Sequence, residues 1–230
     1  MKRSEVNKIM REGIEFCRKH SFYLPPFAYW GPTEWASKGE EVREIMDREY
    51  GWDITDFGSG DYQRVGLFIF TIRNSDPSPS RPVSGKVYAE KLLICDPGQV
   101  TPTHFHWRKV EDIINRGGGD LVVQVYNSTP DEGLADTDVV LNRDGVRTVV
   151  KGGGTVRLEP GDSVTIPNGL YHKFWGDRER VLVGEVSLAN DDNVDNRFYE
   201  KVGRFPEIEE DEPPLYLLVK DYPKYYRPKA

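Results

Sequence analysis

From residue 65 onward the sequence predicts an all-β domain, a sandwich or a barrel, and three observations predict it. Short runs rich in branched and aromatic residues follow one another: VGLFIFTIRN, KVYAEKLLI, VTPTHFHW, DLVVQVYN, DVVLN, VRTVV, TVRLE, SVTIP, HKFW and VLVGEVS. Turn signals divide them, among them Asp144-Gly145, the glycines at 152 to 154, and Pro160-Gly161-Asp162. No helical periodicity intervenes, which separates this pattern from alternating strand and helix folds.

The N-terminal stretch has a different texture. Val6, Ile9, Met10, Ile14 and Cys17 recur at three- and four-residue steps, which predicts a first helix with Ser4 as its N-cap. His20, at the end of that helix, is given a structural role, since a cation there complements the dipole. The following FYLPPFAYWGP carries three prolines and many aromatics, so it reads as an irregular arm packed on something larger. A second helix, carried by Val42, Ile45 and Met46, is expected to run to Tyr50 and stop at Gly51. After the first strand, SDPSPSRPVSG is too rich in Pro and Ser to be regular.

The tail from Asn190 is loop-like and acidic, then apolar and tyrosine-rich. With no repeat and no clear linker, the chain divides into a helical and irregular extension (1–64), a barrel (65–188) and a C-terminal extension (189–230) of one domain.

Composition narrows the class of function. Hydrophobic residues make up 37% and charged residues 30% of 230, as in a soluble globular protein. The formal net charge of −7 repels phosphate backbones and argues against a nucleic-acid partner. No apolar run approaches the ~20 residues of a membrane span, and MKRSEVNKIMREG has no apolar signal region. Cys17 and Cys95 therefore read as free thiols in a reducing cytoplasm.

Three of the four histidines gather into two strand segments. His104 and His106, two apart in THFHW, project from one face of a strand. Glu111 follows five residues later and can return an oxygen to the same cavity, and His172 follows the turn Pro167-Asn168-Gly169. A lone histidine is more often structural than a ligand, and one HxH pair is a weak signal. Three imidazoles and a carboxylate without thiolates suit one divalent ion, Mn, Fe, Co, Ni or Zn, with open positions rather than a closed zinc site.

The spacing of glycines on both sides makes the signal specific. Gly98-x5-His104-x-His106-x4-Glu111-x6-Gly118 and Gly161-x5-Pro167-x-Gly169-x2-His172 resemble the paired motifs of the cupin superfamily, a double-stranded β-helix or jelly-roll barrel. One position departs from the pattern: Gly176 stands where the second motif usually has Asn, which is not a ligand. Near these motifs lie proton-handling candidates, Glu90 and Lys91 in YAEK, Lys109 in HWRK and Glu185 in VLVGEVS. An ionised Glu in an apolar strand is costly unless it is paired or faces a polar cavity, although pattern alone leaves its facing undecided. Lys109 by itself reads as a solvated loop lysine.

Beyond the barrel motifs, MKRSEVN, FYLPPFAYW, YGWDITDFG, YAEK and QVTPTHFHWRKVEDIINRGGGDLVV resemble the D-lyxose isomerase family, as do LEPGDSVTIPNGLYHKFW, VLVGEVSLANDDNVDNRF and EEDEP. The resemblance covers nearly the whole chain. It implies a metal-dependent, usually Mn-dependent, homodimeric enzyme that interconverts D-lyxose and D-xylulose, in some members also D-mannose and D-fructose. The metal ligands expected are His104, His106, Glu111 and His172, with Glu185 as base and Lys109 as its electrostatic or proton partner. Glu90, Lys91, Asp195 and Arg204 are candidates for holding the distal hydroxyls of a free sugar. The acidic tail, NDDNVDN together with the acidic run Glu207–Glu212, either folds over the barrel mouth and contributes hydroxyl contacts or is a surface loop neutralised by Arg197 and Arg204. No basic cradle for a phosphosugar is present, and the glycines at 117 to 119 read as a tight strand turn. An Fe(II) dioxygenase of the same fold and a non-catalytic sugar-binding barrel stay open as alternatives.

Overall fold

The computed structural model describes residues 1–76 and 85–227, so most of the Pro- and Ser-rich loop at 75–85 lies outside the described residues. Helix α1 (Arg3–Lys19) opens the chain, and three short helices follow, α2 (Pro32–Trp35), α3 (Arg43–Asp47) and, near the C-terminus, α4 (Tyr222–Tyr225). The strands are β1 (Gly51–Thr55), β2 (Leu67–Arg73), β3 (Tyr88–Cys95), β4 (His104–Phe105), β5 (Glu111–Ser128) and β6 (Leu134–Ala135). They continue with β7 (Val139–Arg143), β8 (Val146–Val150), β9 (Thr155–Leu158), β10 (Ser163–Ile166), β11 (Leu170–Leu188) and β12 (Arg197–Phe198).

All named strand pairs are antiparallel, and β5 and β11 organise them. These two strands pair along most of their length, from Leu170 opposite Asn127 to Ser187 opposite Glu111. Each hands its other edge to different partners along the way. β11 pairs with β4 at His172 and with β3 through Val181–Leu188, while β5 pairs with β10 at Glu111–Ile114 and with β9 at Leu121–Gln124. Two long strands that change partners midway close the sheet into the cupin barrel.

Three of the short runs read from the sequence belong to these two strands. DLVVQVYN is the second half of β5, and HKFW and VLVGEVS are the two halves of β11. The polar residues Asp177–Arg180 look like a turn, yet the strand passes through them with a register shift against β5. Opposite this shift stand the glycines at 117 to 119, so they mark a mid-strand irregularity rather than a turn. A Cβ at Gly118 would lie 2.1 Å from the Arg180 carbonyl oxygen, with φ at +94°, which requires glycine there. The Asp144-Gly145 turn joins β7 to β8 as the dipeptide predicts, with φ of 50° and 84°.

Alternation along β2 and β3 builds two cores from one pair of strands. Leu67, Ile69, Leu93 and Cys95 point into the barrel with Ile113, Val123, Phe174 and Val183. Phe68, Phe70, Leu92 and Ile94 point outward and are covered by Val6, Met10, Ile14 and Cys17 of α1. The unbroken apolar run LFIF thus reflects burial on both faces. Fully burying each such side chain contributes about 1.5–3 kcal/mol, so packing rather than intrinsic propensity holds α1.

Three expectations about the extensions change. The second helix is a 3-10 turn at Glu40–Val42 followed only by α3, and Gly51 opens β1 instead of ending a helix. Strand β1 joins β2, so the sheet begins at residue 51 rather than 65. Ser4 is not the N-cap: α1 starts at Arg3, and the Ser4 backbone N–H and hydroxyl both donate to Asp211 of the tail, at 2.9 and 2.6 Å. The aromatic arm packs as expected, partly on the barrel's outer core and partly on the tail, where Trp30 packs against the cluster of Trp35, Leu217, Tyr222 and Tyr226. Among the described residues no helix is long and apolar enough to cross a membrane.

Candidate metal centre

Strand β4 is only two residues long, yet it brings His104 opposite His172 of β11. Phe105 turns to the other side and packs edge-on against Tyr171. His104, His106 and His172 offer ligand atoms that all lie within 4.8 Å of one another. Each Nδ1 lies against a backbone carbonyl oxygen: His104 on Pro102 at 2.9 Å, His106 on Asp195 at 2.8 Å, and His172 on Leu170 at 3.0 Å. A carbonyl oxygen only accepts, so each Nδ1 carries the proton and donates it. In a neutral ring this leaves the lone pair on Nε2, the arrangement typical of metal-binding histidines. Burial first, then the neighbouring imidazoles, pushes His104 well below its ordinary pKa; burial and Lys109 lower His106.

Glu111, 2% exposed at the start of β5, completes the group. Its Oε1 lies 3.0 Å from His172 Nε2, and its Oε2 lies 3.6 Å from His106 Nε2 and 2.6 Å from Lys109 Nζ. His172 Nε2 is buried without a hydrogen-bond partner. Two buried acceptors at 3.0 Å repel each other unless a positive charge, a proton or a metal cation, sits between them. Three nitrogen donors and one carboxylate fit a divalent transition ion. Although burial alone would raise the Glu111 carboxyl, Lys109 and His106 hold it well below the usual carboxylate range.

Beside this group lies a buried charge network. Glu185, undecided from pattern, faces the barrel interior and is 4% exposed. Its Oε1 accepts from Lys109 Nζ at 2.8 Å and pairs with Lys91 Nζ at 3.4 Å. Lys109, read from its local sequence as solvated, is 3% exposed. Burial works against its charge, but Glu111, Glu185 and Asp192 outweigh burial and raise the ammonium above its ordinary value. Arg204 also lines the cavity, paired with Asp53 and with Asp192 at 3.0 Å, and its Nη1 is buried without a partner. The cavity itself is narrow, about 40 Å³, room for a water or two.

Two of the expected sugar-binding residues sit elsewhere. Glu90 is on the opposite face of β3 from Lys91, partly exposed, and pairs with Arg73 at 2.9 Å. Asp195 is buried, but its carboxylate oxygens each accept a backbone N–H, from Arg108 and Lys109 at 3.0 Å. It therefore anchors the tail to the loop after His106 rather than offering an oxygen to the cavity. The acidic run takes neither expected role: Glu210, Asp211 and Glu212 clasp Arg3, Ser4 and Asn7 at the start of α1. Arg197 pairs instead with Glu132.

Asp192, Asn190, Asn196 and Asp53 also reach this region and are not among the individual residues that the sequence singles out. Asp192, half-buried, with its carboxyl held well below the ordinary value by Lys91 and Arg204 against the pull of burial, lies in the NDDNVDN stretch that does reach the barrel mouth. Its density of acids and amides was the available signal. Asp53 has none, because the local sequence of β1 resembles the end of a helical extension.

Comparison with known proteins adds to this geometry. The D-lyxose isomerase family model matches residues 1–222. A D-lyxose/D-mannose isomerase of Serratia proteamaculans is 46% identical over 98% of this chain and 99% of its own length. One from Escherichia coli O157:H7 is 43% identical over 98% of this chain and all of its own length. An L-ribose isomerase structure from Cellulomonas parahominis superposes with a TM-score of 0.60 at 18% identity, covering 91% of this chain and 98% of that one. At that identity the likeness concerns the fold alone.

Proposed function

This chain belongs to the D-lyxose isomerase family, and on that premise we propose that it is a divalent-metal-dependent ketol-isomerase interconverting D-lyxose with D-xylulose, and D-mannose with D-fructose. One observation carries the metal and the chemistry together. Three imidazoles, each with Nδ1 committed to a backbone carbonyl oxygen, converge with Glu111 next to the buried Glu185–Lys109 pair.

Isomerisation moves a hydrogen between C1 and C2 and a proton between their oxygens. His104, His106, Glu111 and His172 would hold the ion, which supplies Lewis-acid polarisation of the sugar oxygens. Glu185 takes the proton from C2 and returns it to C1, the task of a positioned carboxylate base. The Lys109 ammonium, kept charged by its acidic neighbours, stabilises negative charge growing on the sugar oxygen and can exchange a proton with it. Lys91 supports the same oxygen of Glu185. Arg204 Nη1, a buried donor without a partner, is placed to take a distal hydroxyl, and Asp192 beside it supplies an acceptor. Because the chamber holds only a water or two, a sugar enters by outward movement of the tail residues Asp192–Phe198 that cover it.

The mixed nitrogen and oxygen ligand set suits Mn, Fe, Co, Ni or Zn, and the family resemblance favours Mn(II) among them; the reading includes a cytoplasmic homodimer acting on free sugars. The test is turnover of EDTA-stripped protein on D-lyxose and D-mannose, with and without Mn(II), followed by ketose formation. Ketose appearing only with the metal is the expected result. No ketose under any divalent ion would overturn the isomerase reading, and oxygen uptake would then identify a dioxygenase.

A further inference from the structure

We propose that Asn190 is a positioning residue for this isomerisation, holding the Lys91 and Lys109 ammonium groups against one oxygen of Glu185. The inference rests on reading Glu185 as the group that carries the proton.

Asn190 follows β11 where the tail turns across the barrel mouth, and it is buried. Its side-chain Oδ1 accepts from Lys91 Nζ at 2.6 Å and from Lys109 Nζ at 3.3 Å. The same two ammonium groups meet on Glu185 Oε1, at 3.4 and 2.8 Å. Two buried like charges repel, and each ammonium has a carboxylate of its own to offset this, Glu111 at 2.6 Å from Lys109 and Asp192 at 3.7 Å from Lys91. Asn190 Oδ1 is the acceptor that, like Glu185 Oε1, touches both and so holds them side by side.

Its own placement does not depend on the lysines. The Asn190 backbone N–H donates to Asn74 Oδ1 at 2.9 Å, and its carbonyl oxygen accepts from Asn74 Nδ2 at 2.9 Å. Asn74, 3% exposed, also donates to the Arg48 carbonyl oxygen at 3.2 Å. The main chain at 190 is thus pinned, and the side chain serves the lysines through Oδ1 while its amide also hydrogen-bonds Asp192.

An amide suits this position better than a carboxylate. The cavity already sets Glu111, Glu185, Asp192 and Asp53 against Lys91, Lys109 and Arg204. A further negative charge at 190 would compete with Glu185 for both ammonium groups. With the neutral oxygen, both lysines stay on Oε1, and the other oxygen of Glu185 is left for the sugar.

The experiment compares Asn190→Ala, Asn190→Asp and the double variant Asn190→Ala/Lys91→Gln, assayed on D-lyxose with Mn(II), the weak ones under single turnover. Asn190→Ala is expected to lower kcat by about tenfold or more, short of the ~10²–10⁴-fold that a general acid–base group itself contributes. KM, metal content and melting temperature should stay near the parent values, since the Asn74 clamp uses only main-chain atoms of residue 190. Asn190→Asp, nearly the same shape, should lose kcat as well. In the Lys91→Gln background the alanine change should cost much less than it does alone, because its effect runs partly through Lys91. An unchanged kcat for Asn190→Ala, or the same fold-loss with and without Lys91, overturns the proposal. Retained turnover in Glu185→Gln would instead remove the base assignment, and the Asn190–Lys91 coupling would still be read independently.

Discussion

His106 Nδ1 lies 2.8 Å from the backbone carbonyl oxygen of Asp195, a residue 89 positions further along the chain. The Asp195 carboxylate returns the contact by accepting the backbone N–H groups of Arg108 and Lys109. The tail therefore fixes both the tautomer of a candidate ligand and the loop that carries it. Asp195→Ala removes the two carboxylate contacts and loosens the carbonyl that orients His106. Outer partners of metal ligands typically matter by about 10–100-fold in affinity, and a loss of that size is expected here. Titration of the stripped variant with Mn(II) reads it directly; parent-like affinity would limit Asp195 to a packing role.

A bound divalent ion should also be visible as stability. The contact between His172 Nε2 and Glu111 Oε1 at 3.0 Å, with no hydrogen bond satisfying the nitrogen, opposes folding until a cation relieves it. A ligand that binds only the folded state stabilises by about 2.7 kcal/mol at one hundred times its Kd. The melting temperature of stripped protein should rise with Mn(II) and fall again with EDTA. His172→Ala should remove that response; a response that survives the substitution would place the ion elsewhere.

Glu185 and Lys109 can be separated from the metal ligands by their effects. Glu185→Gln keeps the shape but cannot take a proton, so turnover should fall by at least about 10²-fold, while metal content is unchanged. Lys109→Ala should lower kcat and also tighten metal binding, because its ammonium sits 2.6 Å from Glu111 Oε2 and competes with a cation for that carboxylate. Measuring kcat and metal affinity together distinguishes the two residues. Full activity in either variant removes that residue from the mechanism.

The parts of this protein that were legible in its sequence are those governed by local rules. Two histidines at strand spacing, a Pro-Asn-Gly turn before a third, and glycines at fixed intervals marked the candidate metal group. An apolar run with a single Glu marked Glu185. What escaped was set by long-range pairing. Asp177–Arg180 is locally indistinguishable from a turn, and only pairing with β5 carries β11 through it. Gly51 after a helical run resembles a stop signal, whereas β2 recruits it into a strand. Asp195 and Asp192 stand three apart in one acidic stretch, and nothing local tells that the first caps backbone N–H groups while the second pairs with Lys91 and Arg204. Glu90 and Lys91 are adjacent, and strand alternation could have warned that both cannot face one cavity.

The clasp between the two ends of the chain predicts an acid-sensitive contribution to stability. Arg3, fully buried, donates to Glu210 through Nε and Nη2 and to Asp221 through Nη1 and Nη2, all at 2.9 Å. The hydrogen bonds from Arg3 are the main reason that the Glu210 carboxyl is lowered from its ordinary value of 4.5. A carboxyl lowered on folding favours the native state in its ionised form. This contribution is complete above about pH 4.5 and disappears as pH falls through the lowered folded value. Arg3→Met keeps the bulk but leaves two carboxylates without their partner. Removing one member of a buried ion group costs about 3–5 kcal/mol, and the partial exposure of Glu210 places this case near about 3 kcal/mol. Denaturant unfolding at pH 7 and at pH 3 should show the parent losing more stability than the variant over that interval. Equal losses in both would assign the acid sensitivity to other carboxylates.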